Sequence, residues 1–236
     1  MTEQHQSALI TGAGSGIGRC VALRLASKGW RVTLVGRTES RLQRVAAEIA
    51  DTPGQASVHA ADVSDPAQAR AAVRAAIETF DGLSALINNA GDAKLVNIAD
   101  HDAAEIERIF AVNALGPINL IAAALPELRR ADPGVVVNVS SVAAHDPFPG
   151  LGVYGAAKAA TEGIVRAIRN EEPSVRAYAI APGAVETPLL RTLIPQSDLP
   201  SAQTLDPDDV AAEIVACITG ETDLEPGGTR VLSSPS

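Results

Sequence analysis

Along the chain, short runs of apolar residues alternate with longer segments in which apolar positions recur every three or four residues. The runs at 7–10, 31–35, 57–61, 84–87, 135–139, 175–180 and 229–232 are rich in Val, Ile, Leu and Ala. Short, nearly continuous runs of this kind predict strands buried on both faces. Helical periodicity covers 19–28, 39–50, 66–80, 102–130, 154–170 and 207–219. Gly29 stops the first of these segments, Pro66 opens the third and Asp206 caps the last. Strand–helix alternation of this regularity predicts a doubly wound α/β fold: a parallel sheet of about seven strands with helices on both faces. No linker, repeat or low-complexity stretch divides the chain, so residues 1–236 are read as one domain, with a short substrate-side segment at about 188–205. In such sheets ligands bind beyond the carboxyl ends of the strands, and the unusual residues fall there.

Composition narrows the classes. Of the 236 residues 46% are apolar, enough for one core, but only 3% are aromatic, which implies an interior of Ala and Val with close helix–sheet packing. A net charge of −9 argues against a nucleic-acid or anionic-membrane partner. No apolar run approaches the length of a membrane span, and the polar start Met1-Thr-Glu-Gln-His-Gln6 does not read as a signal peptide. Cys20 and Cys217 are far apart and suit free thiols in a reducing compartment, so a cytoplasmic location is expected. The histidines His5, His59, His101 and His145 are scattered, and Asp92, Lys94 and Asp146 add no metal-ligand spacing, so no metal is expected.

The first strand runs into Thr11-Gly12-Ala-Gly-Ser15-Gly16-Ile17-Gly18, and a helix follows. Glycines there let the backbone turn tightly against a pyrophosphate, and the helix N-terminus offers free N–H groups and partial positive charge. The spacing is G-x-x-x-G-x-G rather than G-x-G-x-x-G, and no Lys-Ser or Lys-Thr follows to make a mononucleotide loop. The context is that of a Rossmann-type dinucleotide site. The second strand ends Val35-Gly36-Arg37-Thr38, with no carboxylate to hold a ribose 2′-hydroxyl. A guanidinium can pair with a 2′-phosphate, so Arg37 points to NADP(H) in preference to NAD(H), the alternative being a solvated arginine.

A second group of residues lies at the end of the fifth strand. Ser140 and Ser141 follow Val139, a Pro- and Gly-rich loop intervenes, and Tyr154 opens an alanine-rich helix with Lys158 one turn on. A phenol titrates near 10 and exchanges protons poorly at neutral pH, whereas an adjacent ammonium draws it downward. With a serine hydroxyl beside it, the pair can give a proton to a substrate oxygen or take one. Taken alone, Tyr-x-x-x-Lys is also compatible with a packing tyrosine and a surface lysine. Tyr178 lies mid-strand and reads as packing. Asn113 stands four residues before Pro117, whose missing N–H leaves the Asn113 carbonyl free to hold a water, or simply bends the helix around the core.

Together these residues resemble the short-chain dehydrogenase/reductase family from about residue 7 to residue 190, with a weaker fit to the end. The resemblance implies that Gly12, Ser15, Gly16, Ile17 and Gly18 form the cofactor turn, and that Asp62 and Val63 meet the adenine. Asn89, Ala90 and Gly91 of the Asn88-Asn-Ala-Gly motif would lie near the cofactor, and Pro182, Gly183, Val185 and Thr187 would close over the nicotinamide. It also implies a catalytic tetrad of Asn113, Ser141, Tyr154 and Lys158, with Ser141 preferred to Ser140 for its separation from Tyr154. In that scheme Lys158 also holds the nicotinamide ribose, and Asn113 carries a water relay to the lysine. The expected activity is NADP(H)-dependent hydride transfer between nicotinamide and a carbonyl or secondary alcohol. The rival readings are an NAD-preferring dehydrogenase of the same family and a dinucleotide sensor without turnover.

The substrate end is less specific. Leu189, Leu190, Leu193 and Ile194 are expected to form a short apolar helix facing Phe148 and Leu151, with His145 and Asp146 nearby. Gly227 and Gly228 precede the last strand where the family places its acidic-glycine-glycine segment after it, which weakens a tail-built subunit contact. A homodimer or homotetramer through segments 102–130 and 154–170 is expected.

Overall fold

Among residues 6–235, which the computed structural model describes, seven strands form one parallel sheet; the terminal residues, His5 included, lie outside the described range. The strands are β1 (Ser7–Thr11), β2 (Arg31–Gly36), β3 (Gln55–Ala60), β4 (Ala85–Asn88), β5 (Gly134–Val139), β6 (Val175–Pro182) and β7 (Thr229–Leu232). Their order is β3-β2-β1-β4-β5-β6-β7. β1 pairs with β2 on one side and β4 on the other, Ile10 lying level with Leu34 and with Ile87. The order reverses at that central pair, and the crevice beyond it is where doubly wound sheets bind ligands.

The helices are α1 (Gly16–Ser27), α2 (Glu39–Ile49), α3 (Pro66–Phe80), α4 (Ala103–Phe110), α5 (Gly116–Leu128), α6 (Gly152–Glu171), α7 (Pro188–Leu193) and α8 (Pro207–Thr219). Strand residues alternate between the two faces. Ile10, Val135, Val137 and Ile180 join Val21, Leu25, Leu42 and Ile214 of α1, α2 and α8, while Leu9, Val136 and Ala177 join Ala72, Leu120 and Val165 of α3, α5 and α6. Ala69, Ala72, Ala76 and Ala124 are fully buried, so helices approach the sheet closely and few aromatic rings are needed to fill the core. Tyr178 is one of those few, packed mid-strand as its position implies.

Several boundaries differ from the sequence pattern. α1 begins at Gly16 rather than residue 19, so it takes in the last glycines of the turn. α6 begins at Gly152, which puts Tyr154 inside its first turn, and β3 starts at Gln55. Segment 102–130 is capped by Asp102, whose side chain accepts from the Glu105 N–H, and a π-turn at Ala111–Leu115 interrupts it. There the Gly116 N–H reaches back to the Ala111 carbonyl, and Pro117 follows at the start of α5, so the irregularity expected from the proline takes the form of a π-bulge. The helical run Ala103–Leu128 is long and apolar enough to cross a membrane by length and composition, contrary to the sequence expectation; half of its most apolar stretch is buried within the protein.

Candidate active site

A cavity of about 570 Å³ opens at the carboxyl ends of the strands, from the β1–α1 turn to α7. The turn is built to let something approach its backbone. Gly12 has φ +65°, and a Cβ there would stand 2.7 Å from Asn89 Nδ2; Gly16 has φ +52°, and a Cβ would meet Thr187 Cγ2 at 2.9 Å. Ser15, the extended N-cap residue of α1, makes no side-chain capping bond, which leaves the first-turn N–H groups without that partner. Thr11 ties the turn to the β4 end: its Oγ1 accepts from the N–H groups of Asn89 and Ala90, each at 3.0 Å, and Asn89 Nδ2 donates to the Thr11 carbonyl at 2.8 Å. Ser15, Ile17, Asn89, Ala90 and Gly91 line the cavity with Gly12 and Gly16. Gly18, expected at the same surface, lies behind it: a Cβ there would come within 2.5 Å of the Gly12 carbonyl oxygen, so this glycine serves the packing of α1 on the turn.

At the far end Arg37, Asp62 and Val63 line the cavity. The Asp62 carboxylate is held by the Ser64 N–H at 2.9 Å and hydroxyl at 2.7 Å. Sequence reading overlooked Arg41, which also lines the cavity from the first turn of α2, four residues after Arg37; Gly14 passes so close that a Cβ would stand 3.0 Å from Arg41 Cβ. Both arginines are exposed, and neither guanidinium makes an ion pair with a carboxylate among the described residues.

Ser141, Tyr154 and Lys158 share the opposite part of the cavity with Pro182, Gly183, Val185 and Thr187. Ser141 Oγ caps the short 3₁₀ turn Val142–Ala144, accepting from the Ala143 N–H at 3.2 Å. Tyr154 is half-buried, and loss of solvent pushes its phenol up to about 12, the Ser141 hydroxyl pulling the other way. Lys158 is 3% exposed; its Nζ lies 5.7 Å from the centre of the Tyr154 ring and donates to the Val139 carbonyl at 2.8 Å. Burial draws this lysine down to about 8. The expected lowering of the phenol is therefore not seen: desolvation raises it, and the hydroxyl that opposes the rise is Ser141.

Asn113 does not face the cavity. It is fully buried behind Gly91, where its Nδ2 donates to the carbonyls of Asp92 at 2.6 Å and Ile109 at 2.8 Å, and its Oδ1 accepts from the Asp92 N–H at 3.3 Å. The side chain thus clamps the loop after β4 to the π-turn. A Cβ on Gly91 would stand 3.2 Å from Asn113 Oδ1 and 3.7 Å from Lys158 Nζ, so both polar groups converge on that glycine.

Glu162 was also missed, although Tyr154, Lys158 and Glu162 fall on one stripe of α6 at successive turns. Only 6% exposed, its Oε1 accepts from Ser140 Oγ at 2.7 Å and lies 3.0 Å from His145 Nε2. Ser140 is thereby turned into the protein, and the segment carrying Ser141 is held to α6 at both ends. Asp92 pairs with Arg108 and Lys94 with Glu105. Beyond Thr187, whose hydroxyl accepts from the Leu190 N–H at 3.3 Å, α7 brings Leu189, Leu190 and Leu193 to the cavity, and Ile194, expected in the same helix, lines it from the extended residue after α7. Phe148 and Leu151 line it from the other loop, with Phe148 largely exposed at the rim.

A doubly wound sheet with a glycine cradle at its switch point and a tyrosine, lysine and serine in the same cavity defines a dinucleotide-dependent oxidoreductase. Residues 6–198 match the family model described as short chain dehydrogenase, and the chain belongs to the short-chain dehydrogenase/reductase family. An uncharacterised oxidoreductase of Staphylococcus epidermidis is 31% identical over 218 residues, 92% of each chain. The 3-ketoacyl-(acyl-carrier-protein) reductase of Brucella melitensis complexed with NADH superposes with TM-score 0.88 and 33% identity over 96% of both chains. The alcohol dehydrogenase of the archaeon Thermococcus sibiricus complexed with 5-hydroxy-NADP superposes with TM-score 0.87 and 28% identity, over 98% of this chain and 97% of that one. The protein is an oxidoreductase that transfers hydride at an NAD(P)-type dinucleotide site, acting on a small carbonyl or alcohol.

Proposed function

We propose that the enzyme uses NADP(H) and that Tyr154 moves the proton that accompanies the hydride. The observation that carries this reading is the arrangement of one cavity: Ser141, Tyr154 and Lys158 at one end, Arg37 and Arg41 without carboxylate partners at the other. When bound, the nicotinamide supplies hydride to a carbonyl carbon or accepts it from a secondary alcohol. The Ser141 hydroxyl donates to the substrate oxygen and stabilises the charge that develops there. Tyr154 gives that oxygen its phenolic proton during reduction, and the phenolate takes the alcohol proton in the reverse direction. A phenol held up at about 12 is protonated at neutral pH, the form that reduction requires. Lys158 restores the phenolic proton and holds the nicotinamide ribose, while Asn113 keeps the Gly91–Asp92 backbone in place at the start of the proton route. Gly12, Ser15, Gly16 and Ile17 bind the pyrophosphate, Asp62 and Val63 border the adenine, and Arg37 with Arg41 takes the 2′-phosphate. We place the homodimer contact on α4 and α5, where Ile106, Leu115 and Ile118 are exposed apolar residues.

Steady-state assays of NADPH oxidation over a panel of ketones test the mechanism. Tyr154→Phe is expected to lower kcat by about a hundredfold or more while NADPH still binds; unchanged turnover would reject the role of the phenol. Arg37→Ala is expected to weaken NADPH binding about tenfold and NADH binding little, read by titration calorimetry. Equal wild-type affinity for the two cofactors would overturn the NADP(H) assignment.

A further inference from the structure

Charge is unevenly distributed around the cavity. At the dinucleotide end two guanidinium groups are free of carboxylates among the described residues, whereas at the reacting end the basic side chains are already paired and the unpaired Asp146 is acidic. Asp92 pairs with Arg108, Lys94 with Glu105, His145 with Glu162 and Arg191 with Glu186. Lys158, the remaining cation that lines this end among the described residues, is buried and bonded to the Val139 carbonyl. A carboxylate or phosphate on the substrate would therefore lose its water there without gaining a counter-ion, which is costly.

Apolar surface lies where that counter-ion would be needed. Phe148, 67% exposed, stands on the cavity rim, and the loop that bears it is joined to the loop after β4. The Val96 N–H donates to the Gly150 carbonyl at 2.9 Å. A Cβ on Gly150 would stand 3.0 Å from Leu95 Cδ1, and one on Gly152 3.0 Å from Ile98 Cδ1. The joined segments leave Leu95 44% and Ile98 70% exposed against Gly150 and Gly152, two and four residues after Phe148. Exposed large apolar side chains that continue outward from a pocket rim mark a binding surface. α7 supplies the opposite apolar wall with Leu189, Leu190 and Leu193.

We propose that the substrate is an uncharged ketone or secondary alcohol whose apolar tail leaves the cavity over the Phe148–Leu95–Ile98 ledge. This rests on the oxidoreductase reading and adds to it the chemical class of the substrate. The test is a matched pair: methyl hexyl ketone, and the same ketone bearing a carboxylate at the far end of its chain, with acetone as the tail-less reference. Wild-type kcat/KM with NADPH is expected to favour the neutral long ketone over its keto acid by about tenfold or more. Phe148→Arg places a cation on the ledge and is expected to shrink that ratio about tenfold, a readout that does not depend on absolute activity. A keto acid turned over as well as the neutral ketone, or acetone turned over as well as methyl hexyl ketone, would overturn the proposal while leaving the oxidoreductase reading intact. If no carbonyl is reduced, the melting temperature of the cofactor-loaded protein decides the matter. A rise with methyl hexyl ketone and none with the keto acid supports the ledge against a failed mechanism, and no rise with either overturns it.

Discussion

Lys158 offers the sharpest test of the electrostatics of this site. Its ammonium is 3% exposed, its hydrogen bond goes to the neutral Val139 carbonyl, and burial draws it from the ordinary 10.5 to about 8. A lysine whose pKa is lower in the folded protein than in the unfolded chain makes the unfolded state the better proton binder between those two values. Stability therefore rises with pH from about 8 to 10.5 as the buried charge is discharged. Between about pH 7 and pH 9.5 the two values give a gain of about 2 kcal/mol, at about 1.4 kcal/mol for each factor of ten. Lys158→Met removes this term. It also removes the bond to Val139, worth about 1 kcal/mol, but a neutral amine still donates, so that loss is nearly independent of pH. The phenol of Tyr154 titrates higher and does not enter the window. Urea unfolding of both proteins, with midpoints converted through a common m-value, should show wild type gaining about 2 kcal/mol on Lys158→Met between about pH 7 and pH 9.5. A difference that is flat across the range would mean that the ammonium is solvated. A difference of opposite slope would mean that an anionic partner stabilises the cation, and either result would refute the reasoning.

Two further substitutions examine the scaffold of the site. Glu162→Leu removes the short carboxylate acceptor of the buried Ser140 hydroxyl, leaving it only the longer bond to the Lys158 carbonyl, and the partner of the half-exposed His145 ring; it is expected to destabilise the protein by about 1–2 kcal/mol in urea unfolding, whereas Glu162→Gln, which keeps an acceptor oxygen, should lose markedly less. Glu186 is held down to about 2, first by Arg191 and then by Ser201 and Thr204, so its contribution to stability is present above 4.5 and disappears as pH falls toward 2. Glu186→Gln should flatten the dependence of unfolding on pH across that acid range, and an unaltered profile would show that the pair is broken in solution.

Much of this architecture is legible in the chain because it is written in local periods. The apolar runs and helical stripes reproduce the order of strands and helices, and a glycine turn between a strand and a helix marks the end of the sheet where the ligand crevice lies. What escapes is what depends on third parties. Gly18 belongs to the same motif as Gly12 and Gly16, yet it faces the helix–turn contact because α1 already begins at Gly16. Arg41 lies in an ordinary helix-start sequence and becomes notable only when Gly14 is seen to pass beside it. Proline position marks the irregularity in segment 102–130, but not that it would be a π-turn with the Asn113 side chain spent on the Asp92 backbone.

The phenol shows why the last step resists sequence. Proximity of a lysine one turn away is readable, and it argues for a lowered tyrosine. Desolvation is set by everything that packs around the pair, and here it acts on both groups in the same sense, disfavouring phenolate and ammonium alike. Burial therefore moves both groups toward their neutral forms, and the Lys158 ammonium has the Val139 carbonyl as its hydrogen-bond acceptor. That carbonyl closes β5 one residue before Ser140, and Ser140 is tied through Glu162 to the helix that carries both Tyr154 and Lys158. The strand end, the serine turn and the helix are thus one hydrogen-bonded unit, so the proton affinity of the phenol is governed by the packing of that unit as much as by its charged neighbour.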